Sequence, residues 1–296
     1  MAYTRAKYKE GVPWENIKDP VGSIKWDGAH FFLMVGPTGD LSYISRRQGV
    51  NGNYPDRTTQ LPQLASTKLP QFANQVFSVE LIHTGHDNSP EALESHPDCS
   101  GILNSLPARA IETQKQTGPI RAILLDVIHP NISTYGEKMA HLQKVETAFG
   151  NSALMRTSTL HDTVAGIKAL IERTKREKRE GVIVTSKTLP EEKNVRVKIK
   201  HINTYNLKVV GITQEIDKSG AAKESAGALV MADATGRVVG NVGTGFTREQ
   251  RRQIWLNKDL WMNSIKQVKA YPPTADKLRS PVYNGDADGY LDTVTI

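Results

Sequence analysis

A change of texture near residue 202 constrains the fold most. Before it, short apolar runs alternate with long polar connections and one amphipathic helix. After it come closely spaced short strands separated by turns. In the first stretch, His30–Val35 reads as a buried strand, Gly36-Pro37-Thr38-Gly39-Asp40 as a turn and Leu41–Ser45 as the returning strand. Val76–Ile82, Ile120–Ile128, Val182–Val184 and Val195–Ile199 are further strands, and the polar connection 84–120 has helical character near 100–114. Asp162 is read as the cap of a helix whose Val164, Ile167, Leu170 and Ile171 share a face. The run Lys175–Glu180 is read mostly as its solvated face, with Gly181 as the stop. In the second stretch, 207–212, 227–231 and 237–242 are strands, Asp233-Ala234-Thr235-Gly236 is a hairpin turn and 247–256 is a short helix. The pattern predicts an α+β chain. Residues 1–202 form a domain of antiparallel sheets with flanking helices, and 203–296 form a small all-β barrel.

Several charges sit where burial makes them costly without partners. Lys25-Trp26-Asp27-Gly28 places a lysine on a strand that runs into a glycine turn, and a lysine amine attacks only when neutral. Ser45-Arg46-Arg47 follows on the return strand. Glu80 lies inside Val79-Glu80-Leu81, and Asp126 ends Ile123-Leu124-Leu125-Asp126. Glu180 immediately precedes Gly181-Val182-Ile183-Val184. In Val197-Lys198-Ile199-Lys200 the period of two puts both lysines on one strand face. Same-face lysines beside carboxylates suit a phosphate with a divalent metal. Taken singly, each of these charges also fits an ion pair at a sheet edge.

In this order the segments resemble the covalent nucleotidyltransferase superfamily of DNA ligases, RNA ligases and mRNA capping enzymes. Lys25–Gly28 is similar to motif I, Val79–Leu81 to motif III and Leu125-Asp126 to motif IIIa. Glu180–Val184 is similar to motif IV and Val197–Lys200 to motif V. Val242-Gly243-Thr244-Gly245-Phe246-Thr247 before a charged helix, and Leu278-Arg279-Ser280-Pro281, resemble the OB-fold domain of ATP-dependent DNA ligases. The resemblance implies an adenylation domain, ATP-grasp-like in type, followed by an OB-fold barrel. It implies an enzyme of phage or bacterial accessory type that seals 5′-phosphate/3′-hydroxyl nicks in duplex DNA. Lys25 would form a lysyl-AMP, and an adenylated DNA intermediate would follow.

The same resemblance assigns roles. Lys198 and Lys200 would neutralise the α-phosphate, and Glu180, with Asp126 second, would hold Mg²⁺ or Mn²⁺. Glu80 would contact the ribose. Arg46, also a cofactor contact, would clamp the nick phosphate, Arg47 would contact the nucleic acid, and Asp27 would stand near the 3′-hydroxyl. Arg248, Arg251 and Arg252 would reach the DNA backbone. The partners implied are ATP and nicked double-stranded DNA, and the enzyme would act as a monomer. Three positions depart from the pattern. His30 stands where an arginine is usual for the ribose, and Leu125 stands where an aromatic usually stacks on adenine. No arginine-x-aspartate-lysine segment follows Arg279. An RNA ligase, a capping guanylyltransferase and a non-catalytic OB-fold nucleic-acid binder are the alternatives.

Composition agrees with this reading. A formal net charge of +7 favours a polyanion partner. Cys99, the sole cysteine, excludes an intramolecular disulfide and suits a reducing compartment, expected to be the cytoplasm of a bacterium or phage-infected cell. No apolar run approaches the roughly 20 residues of a membrane span. The start, MAYTRAKYKEGVPW, lacks the apolar core of a secretory signal. The histidines lack H-x-x-x-H spacing, which argues against a zinc site, and no G-x-S-x-G elbow is present. Gly240, Gly243 and Gly245 open no βαβ unit, which excludes a dinucleotide loop. Asn284, Asp286, Asp288 and Gly289 resemble the opening of a calcium loop, but its twelfth position is Thr295, so the segment is read as a turn or frayed tail.

Overall fold

The computed structural model describes residues 7–9, 13–128, 131–274, 277–287 and 289–294; Asp288 and Thr295 of the calcium-loop reading lie outside them. The chain divides into two compact units, Met1–Ile199 and Lys200–Ile296. In the first, the strands are β1 (Lys7–Lys9), β2 (Pro20–Lys25), β3 (Ala29–Val35), β4 (Leu41–Ser45), β5 (Val76–His83), β6 (Ile120–Ile128), β7 (Met155–Thr157), β8 (Gly181–Ser186) and β9 (Val195–Lys200). The helices are α1 (Pro62–Ala65, a single turn), α2 (His96–Asn104), α3 (Pro107–Thr117), α4 (Tyr135–Phe149) and α5 (Val164–Arg176). A five-stranded sheet has the order β4-β3-β5-β6-β7, and a four-stranded sheet the order β1-β9-β8-β2.

Two apolar clusters explain why β5 and β6 read as near-continuous apolar runs. Phe77, Val79 and Leu81 of β5 join the cluster that includes Ile102, Ala110, Leu142 and Val145 of the helices. Ile82 of β5 and Ile123 of β6 join a second cluster with Ile24, Val182, Val184 and Val197 of the four-stranded sheet and Ile167 and Leu170 of α5. The five-stranded sheet is therefore covered on both faces. Period-two alternation puts Glu80 on the Ile82 side, toward the other sheet. A β-bulge sits where the register steps from Ser78 opposite Asp126 to Val79 opposite Leu124. Leu125 is the extra residue, so Leu124 and Val127 reach the same cluster despite their odd spacing.

Three local readings change. The connection 84–120 holds two helices rather than one helical stretch, and α4 occupies a region that gave no helix signal. The helix expected from Asp162 is capped by Thr163, whose hydroxyl accepts the Gly166 N–H at 3.0 Å. Asn284 and Asp286 belong to a strand rather than to a frayed tail.

In the second unit the strands are β10 (Asn203–Ile216), β11 (Ala222–Ala232), β12 (Val238–Val242), β13 (Ile265–Thr274) and β14 (Lys277–Asp286); the helices are α6 (Arg248–Leu256) and the single turn α7 (Lys258–Trp261). The sheet runs β12-β11-β10-β13-β14, all antiparallel. The closed barrel expected from the sequence is corrected to this open ladder. Its outer strands are linked by the Lys277 ammonium, which donates to the Val238 carbonyl, and by a bridge from Thr244 to Val282. Ile254 of α6 packs with Leu229, Met231, Val242 and Val268. Thr247 and Gln250 form a reciprocal cap at the start of α6. Among the described residues no helix is long and apolar enough to cross a membrane.

The arginines of α6 are not equivalent. Arg251 donates to the carbonyls of Ala226 (3.1 Å), Gly227 (2.8 Å) and Gly243, and lies over Phe246. This corrects its expected role: its guanidinium is spent on the protein backbone, whereas Arg248 and Arg252 are exposed. Arg251→Ala is expected to cost about 1–3 kcal/mol in urea unfolding, because part-buried carbonyls lose their donor. Arg252→Ala should stay within about 0.5 kcal/mol.

Candidate functional site

The site starts from the β2–β8 pairing. Its antiparallel register sets Lys25 opposite Gly181, so Glu180 arrives beside the lysine, and the Lys25 ammonium donates to the Glu180 carboxylate. Both side chains are mostly buried, 18% and 14% exposed. Gly28 then turns the chain toward β3. A Cβ there would overlap the Leu81 carbonyl and crowd Ile82 and Glu80, so only glycine lets the loop pass this close to β5.

Lys25, paired with Glu180, lines a cavity of about 300 Å³ together with His30, Arg46, Arg47, Glu80, Leu124, Leu125 and Lys198. The structure thus brings together most of the residues that the sequence singles out. Glu80 stands opposite His30 on β3. Burial pushes its carboxyl up to about 8, against the pull of Lys25 and with a further push from Glu180. His30 shares a 2.6 Å hydrogen bond with the Ser78 hydroxyl through Nε2, and Arg46 donates to its Nδ1 at 3.2 Å. A second cavity of about 490 Å³ shares His30, Arg46, Arg47 and Glu80 with the first and adds Arg57 and His96. Arginine density there suits a second phosphate.

Asp126, expected as a site residue, lies elsewhere. It is fully buried, and its oxygens take Lys138 at 3.0 Å and Arg196 at 3.1 Å. Glu191 completes the network, 3.4 Å from Lys138 and 2.9 Å from Arg196. Asp126 is therefore the anchor of a four-charge core and not an open metal ligand, which corrects the expectation. Lys200 belongs to the second unit, where its Nζ donates to the Tyr271 hydroxyl at 3.1 Å. Asp27 stays in the Lys25 loop, its backbone N–H donating to Glu94 at 3.2 Å.

Sequence reading missed several residues around the lysine. Tyr135, Ser158 and Arg196 line the cavity. Tyr135 opens α4, which gave no helix signal, and Ser158 comes from the connection after β7. Arg196 hides in a strand whose lysines drew the eye. Glu94 and Arg179 looked like solvated charges, yet their side chains are 3% and 2% exposed and pair at 2.6 Å.

As for a metal, Glu180 offers one carboxylate beside Lys25. Among the described residues no group of three or more His, Cys, Asp or Glu could hold a metal alone. That donor set fits a magnesium-like ion held by one carboxylate and a substrate phosphate, not a self-sufficient metal centre.

The raised Glu80 carboxyl has a consequence for stability. The folded protein keeps this proton up to about pH 8 while the unfolded chain releases it near the ordinary glutamate value of 4.5. This group's contribution is therefore full below that lower value and is lost as pH rises toward 8. Glu80→Gln, which mimics the protonated acid, is expected to lessen the fall in stability between about pH 5 and 8 in urea titrations at stepped pH. An unchanged pH slope would show that Glu80 ionises normally.

No protein-family model and no curated protein matches the sequence. Solved structures do match in fold. One, described as DNA binding with a minimal scaffold in Lig E DNA ligases, aligns with a TM-score of 0.68 at 16% identity, over 96% of this chain and 99% of the other. Another, designated Pmar-Lig_PreS3, aligns with a TM-score of 0.68 at 16% identity, over 96% of this chain and 67% of the other. The chain shares its fold with these proteins.

Proposed function

We propose that this protein is an ATP-dependent DNA ligase that seals 5′-phosphate/3′-hydroxyl nicks in duplex DNA. The observation that carries the reading is the meeting of Lys25, Glu80 and Lys198 at one cavity, with Glu180 bonded to Lys25, in a chain that shares its fold with a Lig E DNA ligase. Shared fold alone does not give function, so the site chemistry must carry the weight.

Lys25 Nζ attacks the α-phosphorus of ATP; a P–N bond forms and the bond to pyrophosphate breaks. The ammonium must first lose a proton, and Glu180, its direct partner, is placed to take it. Lys198 faces the charge that builds on the α-phosphate. Glu80, protonated near neutral pH, can donate to a ribose oxygen. Leu125 and its neighbours give the base an apolar wall. Glu180 would also hold a Mg²⁺ ion with the nucleotide phosphates, and that ion would supply charge neutralisation. In the second step the nick's 5′-phosphate attacks the lysyl-AMP phosphorus and frees Lys25, with Arg46, Arg47 and Arg57 beside the second cavity as its clamp. In the third, the 3′-hydroxyl attacks the adenylated phosphate, the strand closes and AMP leaves; Asp27 is the group nearest that terminus. The second unit serves as an OB-type module despite its open ladder, with Arg248 and Arg252 on DNA phosphates.

The test is incubation with α-labelled ATP or GTP and Mg²⁺ followed by a denaturing gel. Label is expected from ATP only, absent in Lys25→Ala, and reduced about 10²–10³-fold in rate in Lys198→Ala. Sealing of a nicked duplex by the same sample completes the assignment. Label from GTP would move the protein to capping chemistry. No label with DNA binding retained would leave a non-catalytic binding protein.

A further inference from the structure

The loop carrying Lys25 and Asp27 is held by groups outside the motifs. Trp26 is buried beside two guanidinium groups, with Arg156 at 5.8 Å and Arg179 at 5.6 Å from the ring centroid, and its Nε1 donates to Ser158 Oγ at 2.9 Å. Beside it the Asp27 N–H donates to Glu94 Oε1, and Glu94 Oε2 accepts from Arg179 at 2.6 Å. Arg179 also donates to Glu177 at 2.7 Å and to the carbonyls of Ala92 and Glu91, so its guanidinium is fixed in orientation. The next residue is Glu180, which accepts from Lys25. The contacts close a ring: Lys25 ammonium, Glu180 carboxylate, one peptide bond, Arg179 guanidinium, Glu94 carboxylate, Asp27 amide, and back through Trp26 to Lys25.

We propose that Glu94 is a positioning residue for the nucleophile: by accepting the Asp27 N–H from a carboxylate locked on Arg179, it fixes the loop that aims Lys25 at the α-phosphate. This rests on the reading of Lys25 as the adenylated residue. Buried carboxylates are kept where they have partners; beside its own backbone N–H, Glu94 has Arg179 and the Asp27 N–H, of which only Arg179 concerns the fold at large. The Asp27 bond serves the loop alone. Reactive geometry is strict, and a displacement of about 1 Å costs on the order of 10²-fold in rate. Glu94 itself touches neither nucleotide nor DNA in this mechanism, so its loss should slow the chemical step without weakening ATP binding.

The order of two conservative variants separates positioning from simple charge pairing. Glu94→Asp keeps the charge opposite Arg179 but draws the carboxylate back from the Asp27 N–H by one methylene. Glu94→Gln loses the charge but keeps an oxygen for that N–H. In single-turnover adenylation of the full chain with labelled ATP and Mg²⁺, Glu94→Asp is expected to lower the maximal rate about 10- to 100-fold. Its half-saturating ATP should stay within about threefold of native, and Glu94→Gln should recover most of the rate. The reverse order, with Asp native-like and Gln impaired, overturns the proposal in favour of a charge pair that only stabilises the fold. A loss expressed wholly in half-saturating ATP overturns it too. Circular dichroism melts establish which variants fold, and if Glu94→Gln does not, a native rate in Glu94→Asp is sufficient to overturn it. Failure of the native protein itself to take label sinks the ligase reading and this inference with it. A labelled native protein with native-rate variants sinks this inference alone.

Discussion

The Lys25–Glu180 pair across β2 and β8 is the interaction on which the site depends. A lysine and a carboxylate this deep would each be costly alone, and together they are tolerable only in good geometry. Strand register supplies that geometry: one slip between β2 and β8 would turn Lys25 to the opposite face. Burial of Ile24 between the sheets, with Val182 and Val184, fixes the register, so the apolar cluster places Lys25 as surely as it stabilises the sheet. Glu80 feels the same pair from β5, and its raised carboxyl reflects both burial and the nearness of Glu180.

A second charged core lies around Asp126. Lys138 from α4, Arg196 from β9, Glu191 and Asp126 from β6 form a balanced network with almost no solvent contact. Such networks contribute less to net stability than their distances suggest, because desolvation opposes attraction. Their effect here is geometric. Arg196 lies two residues before Lys198 on the same strand, so tying Arg196 to Asp126 ties β9 to β6 and sets where Lys198 meets the cavity. Tyr8 of β1 stands opposite Arg196 in a parallel pairing, so β9 is not left as a bare edge.

What could be read from the sequence follows from how local each signal is. Lys25, Glu80, Glu180 and Lys198 were legible because each is a charge in or beside a strand-like run, and such a placement is visible without the fold. Short apolar runs likewise gave β3, β4, β5, β6, β8 and β9. Asp126 was legible as a buried charge but not in role, since its partners lie 12 and 70 positions away and no local pattern names them. Arg179 and Glu94 were illegible for the opposite reason. They sit in charge-rich polar segments that look solvated, and only the packing of the 84–95 connection against α5 and Trp26 buries them. Arg251 shows the same limit: a charged helix face gives no hint that one of three arginines bonds to carbonyls. The open ladder of the second unit was also out of reach, because short strands with frequent turns are common to sheets and barrels alike.

The leucine at 125 looks like a loss beside the aromatic usual in the resembling family, but the bulge changes what that position can do. An extra residue in β6 re-aims its side chain and breaks the alternation on either side, so Leu124 and Leu125 both reach the cavity. Two adjacent leucines present a broader apolar wall than one residue of a regular strand could. Tyr135, at the first turn of α4, lines the same cavity with Arg196 lying 5.4 Å over its ring. Arg196 is committed to Asp126 and Glu191, so its donors are directed into the network. Guanine is favoured by a pair of arginine donors aimed at its O6 and N7, whereas adenine is not. A wall of leucines, a tyrosine and an arginine already engaged by two carboxylates thus offers apolar contact to a base without rewarding guanine, consistent with ATP rather than GTP as the proposed nucleotide.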